Sequence, residues 1–306
     1  MVPVLLALAA CLLGAVGASA QTATSGDDRG SQVDTSAPAA ALTPEQQSML
    51  KRAELAREFG DPLTTLPQVS IQDVYTPQNF GTDARANKLL LRPIIPRIPK
   101  FSLLPFAQLI RPTFSMVTVP TGQGTETRTE FGDIQLLDLA VLPWSSKETG
   151  LYMAFGPVFN FPTATHKTAG ANAWQLGPAF ATIYKGIPGL LLGCLVQNPF
   201  SLAYTEERHT TSGTFLFQPL VLAYVGHGFY VKSADSTWSY SWDHGGSGTL
   251  PISFGVGYIW LREDSPPINV SVTGEWMAYR HDAPVAPQTS IRFALTVAFP
   301  QWRPWR

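Results

Sequence analysis

The feature that most restricts the fold of this chain is a two-residue alternation of large apolar with small or polar side chains. In SIRFALTVAF, residues 290–299, the bulky residues Ile, Phe, Leu, Val and Phe fall on odd positions, and Ser, Arg, Ala, Thr and Ala fall between them. The same scheme recurs in LPISFGVGYIWL (250–261) and INVSVTGEWMAYR (268–280). Because successive side chains of a strand point to opposite faces, each segment is a strand with one bulky and one small face.

Alternation alone does not separate a membrane barrel from a soluble β-sandwich or a lipocalin-like barrel, in which the bulky face is buried. Charged residues make up 14% of the 306 residues, whereas soluble domains carry about 25%. The segments are roughly ten residues long, enough for a tilted strand to cross a membrane. Five aromatic residues fall toward segment ends, where membrane barrels carry aromatic girdles: Trp144, Trp174, Tyr184, Trp260 and Trp276.

The fold class predicted is therefore all-β, an antiparallel transmembrane β-barrel of about 12 strands, with 10 as the alternative. The alternation places this barrel over residues 87–300, with a short helix on its N-terminal side and a tail over 301–306. The tail ends on Arg306 and not on the aromatic residue common at the end of outer-membrane barrels. A net charge of −1 offers no basic surface for nucleic acid.

The first residues predict export. Residues 1–20 are mostly apolar and end in Ala18, Ser19 and Ala20, the small-x-small pattern of a signal-peptidase site. A lipobox that would make Cys11 a lipid anchor is a weaker alternative. Residues 21–42 lack periodicity and predict a disordered tether. Once the signal peptide is removed, Cys194 is the only cysteine, so we expect no internal disulfide.

One helix is predicted over residues 44–59, inside a segment (43–86) between the tether and the barrel. Thr43 is a good N-cap, Gln46 completes a capping box and Pro44 suits the first helical position. Gly60 is expected to stop the helix in the left-handed conformation. The helix either packs in the periplasm against the rim of the barrel, which we favour, or plugs the lumen.

The small, polar face supplies the candidates for a lumenal constriction. These are Arg92, Arg111, Asp133, Gln135, Gln175, Gln218, Glu275 and Arg292, with Lys88, Lys185 and Asn160 beside them. If the last hairpin is symmetric about its loop, Glu275 lies opposite Ala294 and diagonal to Arg292. Such residues either pair with one another in a narrow, filled lumen or filter solutes, and the sequence leaves both open. A slip of the alternation before Asp138 predicts a bulge that keeps Asp133, Gln135 and Asp138 inward.

Two glycine–proline pairs stand in the middle of predicted strands, where proline removes a ladder hydrogen bond. They are Gly156 with Pro157 and Gly177 with Pro178. A hairpin centred between residues 167 and 168 sets the two prolines opposite each other on the lipid face and both glycines on the lumen side. Their missing N–H groups would then have pointed to the outer neighbours, so we expect an intact ladder within the hairpin and a local gap on its flanks.

Several strings in order along residues 131–300 resemble the phenol-degradation meta-pathway (MetA-type) family of outer-membrane proteins. They are FGDIQLLDL, GPVFNFPTATHKTAGANAWQLGPAFATIYKG, LVQNPFSLA, FQPLVLAYVGHGFYVKSAD and LPISFGVGYIW. The resemblance implies a transporter in the outer membrane of a Gram-negative bacterium. With it, the predicted function is a passive channel for small compounds, apolar or aromatic ones among them. The alternative is a narrow, filled barrel with a structural or assembly role.

An enzyme is not predicted, and neither is a cofactor or a metal site. His166, His209, His244 and His281 are scattered without the spacing of metal ligands. DHGGSGT brings His244 near Ser247, but glycine is missing two residues after the serine, so a barrel-borne lipid hydrolase is the weakest hypothesis. The expected partners are outer-membrane lipid, the barrel-insertion machinery and a small solute, and no oligomeric state is predicted.

Overall fold

The computed structural model describes residues 43–61, 63–64, 66–97, 107–121, 124–142, 150–205, 213–233, 235–242, 246–262 and 265–300. The predicted signal peptide, tether and C-terminal tail lie outside these residues, as does Trp144. The described chain forms the helix α1 (Pro44–Gly60) and fifteen strands. The strands are β1 (Gln68–Phe80), β2 (Ala86–Arg97), β3 (Gln108–Pro120), β4 (Thr127–Phe131), β5 (Ile134–Val141), β6 (Leu151–Phe161), β7 (Ala173–Tyr184), β8 (Leu190–Gln197), β9 (Phe200–Tyr204), β10 (Thr214–Gly226), β11 (Phe229–Ser233), β12 (Trp238–Ser241), β13 (Gly248–Arg262), β14 (Ser265–His281) and β15 (Ala286–Ala298).

The strands form one antiparallel sheet that closes into a barrel: β1 pairs with the last strand, β15, and β8 pairs with β10 where the order of strands would otherwise end. Three positions around the barrel hold two short strands in succession, β4 with β5, β8 with β9, and β11 with β12, so the barrel has twelve strand positions. The predicted fold class and strand number are confirmed. We call the end where β1 begins and β15 ends the terminal end, and the opposite end the distal end.

The barrel begins at Gln68 and not at Asn87, so the predicted boundary was wrong. The alternation in β1 is weak because Asp73 falls among the outward residues and Pro77 interrupts the strand before its end. The register nevertheless buries Gln72 and exposes its neighbour Ile71. A strand of mixed pattern therefore closes the barrel.

The bulky face of each strand points outward. In β13, Phe254 is 56% exposed and Ser253 only 6%. In β15, Phe293 is 52% exposed and Arg292 only 9%. A soluble sandwich would bury the large residues, whereas a barrel in lipid presents them to the hydrocarbon and keeps polar groups inside. The outer surface is therefore that of a membrane-spanning barrel.

The helix α1 begins as predicted, and the way it ends differs. Thr43 and Gln46 form the capping box, each side chain meeting the other's backbone N–H. Gly60 is the last helical residue rather than a left-handed stop, and the chain leaves the helix through Asp61 in an extended conformation, with φ −81°. Within the described residues, no helix is long and apolar enough to cross a membrane.

The end of α1 turns into the barrel. Leu55 and Phe59 pack against an apolar cluster inside the wall, and Leu63, after the helix, is buried within that cluster. Phe59 and Asp61 also line the lumenal cavity described below. Most of the first half of α1 is exposed, so only the end of the helix and the segment after it enter the lumen.

The two prolines pair as predicted. Pro157 of β6 stands directly opposite Pro178 of β7, and the ladder between these strands continues on both sides of the pair. Gly156 and Gly177 are buried on the inner face, while Pro178 is exposed on the outer face. The missing N–H groups leave the ladder of this hairpin intact.

The flanks of the hairpin are interrupted, which confirms the predicted local gap. Between β5 and β6 the pairing stops at Leu137 and resumes at Ala140. Between β7 and the next position it stops at Gln197 of β8 and resumes at Phe200 of β9. Both interruptions lie across from a Gly–Pro pair.

A third interruption was not predicted. The pairing of β2 with β3 stops at Leu91 and resumes at Ile95. This register sets Pro93 of β2 opposite Pro112 of β3, so two missing N–H groups meet at one seam. We call the wall from β2 to β9, with its three interruptions, the interrupted side. We call the wall formed by β13, β14, β15 and β1 the continuous side, because its register shifts lie only toward the strand ends, after Tyr75 of β1 and at Leu250 and Trp260 of β13.

Two finer predictions of register were wrong. Glu275 lies opposite Ser290, not Ala294, although it remains diagonal to Arg292. The hairpin of β14 and β15 therefore lacks the symmetry about its loop that the prediction assumed. The predicted bulge before Asp138 is absent, since β5 pairs with β3 without a break and Asp138 falls on the outer side.

Candidate functional site

A row of amide side chains crosses the inner wall near the distal end. Gln135 donates through Nε2 to Oδ1 of Asn160 at 3.1 Å. Asn160 donates through Nδ2 to Oε1 of Gln175 at 2.7 Å, and Gln175 Nε2 donates to Ser201 Oγ at 3.2 Å. We call these four residues the amide row. It joins β5, β6, β7 and β9 through side chains. The predicted lumenal residues Gln135 and Gln175 are thus linked through Asn160.

Asp133 does not join them. It lies between β4 and β5, and both of its oxygens accept backbone N–H groups of the loop between β6 and β7. The N–H of Ala164 donates to Oδ1 at 3.0 Å, and that of Ala171 donates to Oδ2 at 2.6 Å. The carboxylate is thus engaged in holding a loop at the distal end.

The predicted arginines come together on the wall formed by β15, β1, β2 and β3. The Oε1 atom of Gln72 accepts a hydrogen bond from Nη1 of Arg92 at 3.2 Å and from Nη1 of Arg292 at 3.1 Å. Nη2 of Arg292 donates to the carbonyl of Asp235 at 3.3 Å and lies 3.9 Å from Oε2 of Glu275. A neutral amide oxygen therefore stands between two guanidinium groups.

Lys88 and Arg111 complete what we call the basic cluster, which consists of Lys88, Arg92, Arg111 and Arg292. The charge of Arg92 repels those of Lys88 and Arg111, and Arg292 repels both Lys88 and Arg92. Asp235 attracts Arg92 and Arg111 across the lumen. Its carboxylate is already bonded to Lys232, at 2.9 Å.

A cavity of about 110 Å³ lies in the lumen against this cluster. At about 30 Å³ for each water molecule, it holds roughly four waters. Its polar lining includes Gln72, Arg92, Arg111, Gln218, Lys232 and Asp235, and its apolar lining includes Phe59, Ile94, Leu195, Leu220 and Leu222. Arg92, Arg111 and Gln218 thus line the cavity, while Arg292 contacts two of its lining residues, Gln72 and Asp235, and lies near Glu275.

An ion pair at the terminal end of the barrel holds the segment that follows α1. Lys185, in the turn after β7, binds the carboxylate of the buried Asp61 and lies 3.4 Å from Oε1 of Glu58. Burial alone would lower the pKa of the Lys185 ammonium, but Asp61 and Glu58 outweigh it and hold that pKa above its usual value. The backbone N–H of Leu63 also donates to Oδ1 of Asp61 at 2.7 Å. These bonds fix the segment that enters the lumen from α1.

Three residues of the site escaped the sequence analysis. Gln72 was missed because β1 was not recognised as a strand. Lys232 and Asp235 were missed because they stand where β11 gives way to β12, and no alternation spans that break. The three-residue spacing of opposite charges was the one available clue.

The enzyme candidates are only partly described. His166 meets Thr168 Oγ1 at 2.9 Å in the loop after β6, and His281 ends β14. His209 and His244, and with them the pairing of His244 with Ser247, lie outside the described residues. Across the described ranges, no group of three or more His, Cys, Asp or Glu side chains could hold a metal ion.

No protein-family model and no curated protein matches the chain. Among solved structures, the COG4313 outer membrane channel from Pseudomonas putida F1 aligns with a TM-score of 0.54 at 9% identity, over 78% of this chain and 98% of that one. The NanC porin aligns at 0.46 and 10% identity, over 76% and 98%. The KdgM porin aligns at 0.43 and 8% identity, over 76% and 99%. At these identities the likeness shows the fold alone.

Proposed function

We propose that this protein is an outer-membrane channel of a Gram-negative bacterium through which small solutes pass without energy input. The observation that carries the proposal is an unfilled cavity among polar groups, inside a closed barrel whose outer face is apolar. A barrel with only a structural role would fill its interior with matched side chains. The MetA-type resemblance of the sequence agrees with this proposal.

The proposed solutes are small apolar or aromatic compounds. The apolar part of the cavity lining, such as Leu195 and Leu222, offers such a solute a surface. Insertion into the membrane by the barrel-assembly machinery remains part of the proposal.

One observation favours the alternative, a filled barrel with a structural role. The end of α1 and Leu63 occupy the terminal end of the lumen. In the channel proposal this segment is a removable obstruction, held by the contacts of Lys185 with Asp61 and Glu58 and by the packing of Leu63 in the apolar cluster.

Conductance across a planar lipid bilayer tests the two functions. We expect small steps from the wild-type protein and larger ones from Lys185→Met, which leaves the buried Asp61 without its cation. Lys167→Met is the matched control, because Lys167 is exposed in the distal loop between β6 and β7. If the folded wild type and the folded Lys185→Met variant both fail to conduct, the channel proposal is wrong and the filled barrel stands.

A further inference from the structure

We propose that the lumenal cavity is a binding site for the carboxylate of a small apolar acid, with Arg92 and Arg111 as its anion-binding groups. The inference rests on the proposed channel function and deepens it by naming the chemical class of the solute. It also gives the basic cluster a role that neither the amide row nor the ion pair at the terminal end explains.

The first step is a deficit of hydrogen-bond acceptors. The Nε–H groups of Arg92 and Arg111 are buried and have no hydrogen-bond partner among the described residues. A guanidinium group carries five N–H donors, and buried donors are nearly always satisfied. Arg92 has one bond to Gln72, whose oxygen it shares with Arg292. The site is therefore rich in donors and short of acceptors.

The second step is an excess of positive charge. The described side chains around the cavity bring the four cations of the basic cluster and Lys232 together with three carboxylates, Asp61, Asp235 and Glu275. Asp61 is already paired with a further cation, Lys185. Asp235 is bonded to Lys232, and Glu275 lies 3.9 Å from Arg292. Arg111 thus keeps no carboxylate of its own. An anion in the cavity would relieve the mutual repulsion of Arg92 and Arg111.

The third step is the shape of the remaining space. A carboxylate accepts two parallel N–H bonds from one guanidinium group, which matches Arg92 and Arg111 lining one side. Ile94, Leu220 and Leu222 line the cavity as well and offer no donors. A fully hydrated anion such as sulfate would lose water against these side chains without replacement. An acid with an apolar body satisfies both parts of the lining, and the cavity of about 110 Å³ restricts it to a small one.

The test measures binding without flux. Sodium benzoate is titrated by calorimetry into the full chain folded in detergent micelles, with the heat of micelles alone subtracted. We expect saturable binding to the wild type that weakens roughly tenfold to a hundredfold in Arg111→Gln, the loss of one hydrogen bond to a charged group. Arg111→Lys keeps the charge without the planar fork and should fall between the two. Arg128→Gln, on a half-exposed arginine of β4, should bind like the wild type.

Benzyl alcohol is the matched probe, since it keeps the ring and lacks the carboxylate. If it binds as tightly as benzoate, or if Arg111→Gln and Arg111→Lys both bind benzoate as the wild type does, the proposed site is wrong. Circular dichroism checks folding, and where Arg111→Gln does not fold, Arg111→Lys and the two probes decide. A wild type that conducts but does not bind benzoate refutes this site alone. One that binds benzoate but does not conduct refutes the channel alone.

Discussion

The continuous and interrupted sides of the barrel share one residue pattern and differ in how their strands are joined. On the continuous side, β14 pairs with β15 from Ile268 to Trp276 without a break. On the interrupted side, three seams each lose a stretch of pairing where prolines stand. Since bulky residues face outward on both sides, lipid exposure does not account for the difference. Proline placement decides where the backbone ladder is interrupted. The amide row adds side-chain bonds to the same strands at neighbouring positions, where the backbone ladder is intact.

The largest expected effect concerns the glycines at the seams. A Cβ on residue 156 would overlap the carbonyl oxygen of Asp138, a backbone atom that cannot turn away. Gly156→Ala should therefore lower the free energy of unfolding by about 3 kcal/mol, as overpacking does elsewhere. Urea titrations of the protein in lipid vesicles measure it.

The matched variant on the continuous side is Gly274→Ala, because the nearest atom to a Cβ there is the carbonyl oxygen of Phe254 at 3.9 Å. We expect a change within about 0.5 kcal/mol. Equal losses in Gly156→Ala and Gly274→Ala would mean that close backbone approach does not distinguish the two sides.

The amide row should matter more than a single polar pair of the continuous side. Asn160→Ala removes two hydrogen bonds of the row, those to Gln135 Nε2 and Gln175 Oε1, and should cost about 2 kcal/mol. Thr76→Ala removes one hydrogen bond, that between Thr76 Oγ1 and Ser290 Oγ at 2.8 Å, and should cost about 1 kcal/mol. The same urea titrations compare them, and a larger loss in Thr76→Ala would contradict the greater stabilisation that we assign to the amide row.

A smaller effect is expected from restoring an N–H group. In Pro178→Ala the new N–H faces Asn198, whose own N–H already donates to the carbonyl of residue 178 at 3.0 Å. The added bond and the lost rigidity of proline oppose each other, so stability should change by less than about 1 kcal/mol. Amide hydrogen exchange should nevertheless show residue 178 protected. Rapid exchange at residue 178 would mean that strand geometry, and not the missing N–H group of proline, causes the interruption. Pro287→Ala, at the distal end of β15, is the control.

The smallest effect near neutral pH concerns the ion pair at the terminal end. Because the pKa of Lys185 is raised, the stabilisation it gives is fully present below its ordinary value of 10.5 and is lost as pH rises through the folded value. We expect the docking of α1 to be unchanged from pH 6 to about 9 and to weaken above about 10.5. Amide hydrogen exchange of α1, measured as a function of pH, tests this expectation. Release of α1 below pH 9 would contradict it.

The sequence predicted the strands of the barrel wall better than the contacts in its interior. The alternation in β13 to β15 sufficed for strand faces, and hairpin symmetry sufficed to pair Pro157 with Pro178. The pairing of Pro93 with Pro112 was not predicted, because no hairpin was assigned to β2 and β3 from the sequence. The lumenal site depends on partners from distant strands, such as Gln72 with Arg292, and no local pattern encodes a contact over 220 positions. Asp133 was assigned inward by parity, yet the loop it binds lies beyond the reach of a strand pattern.

The position of α1 ahead of the first strand has a consequence for the order of assembly. The helix and the start of β1 lie at the same end, so the segment that fills the lumen never needs to be threaded through a closed ring. A filling segment placed between two strands would have to be inside before the ring closed. We therefore expect that the seam between β1 and β15 can form either before or after Lys185 binds Asp61.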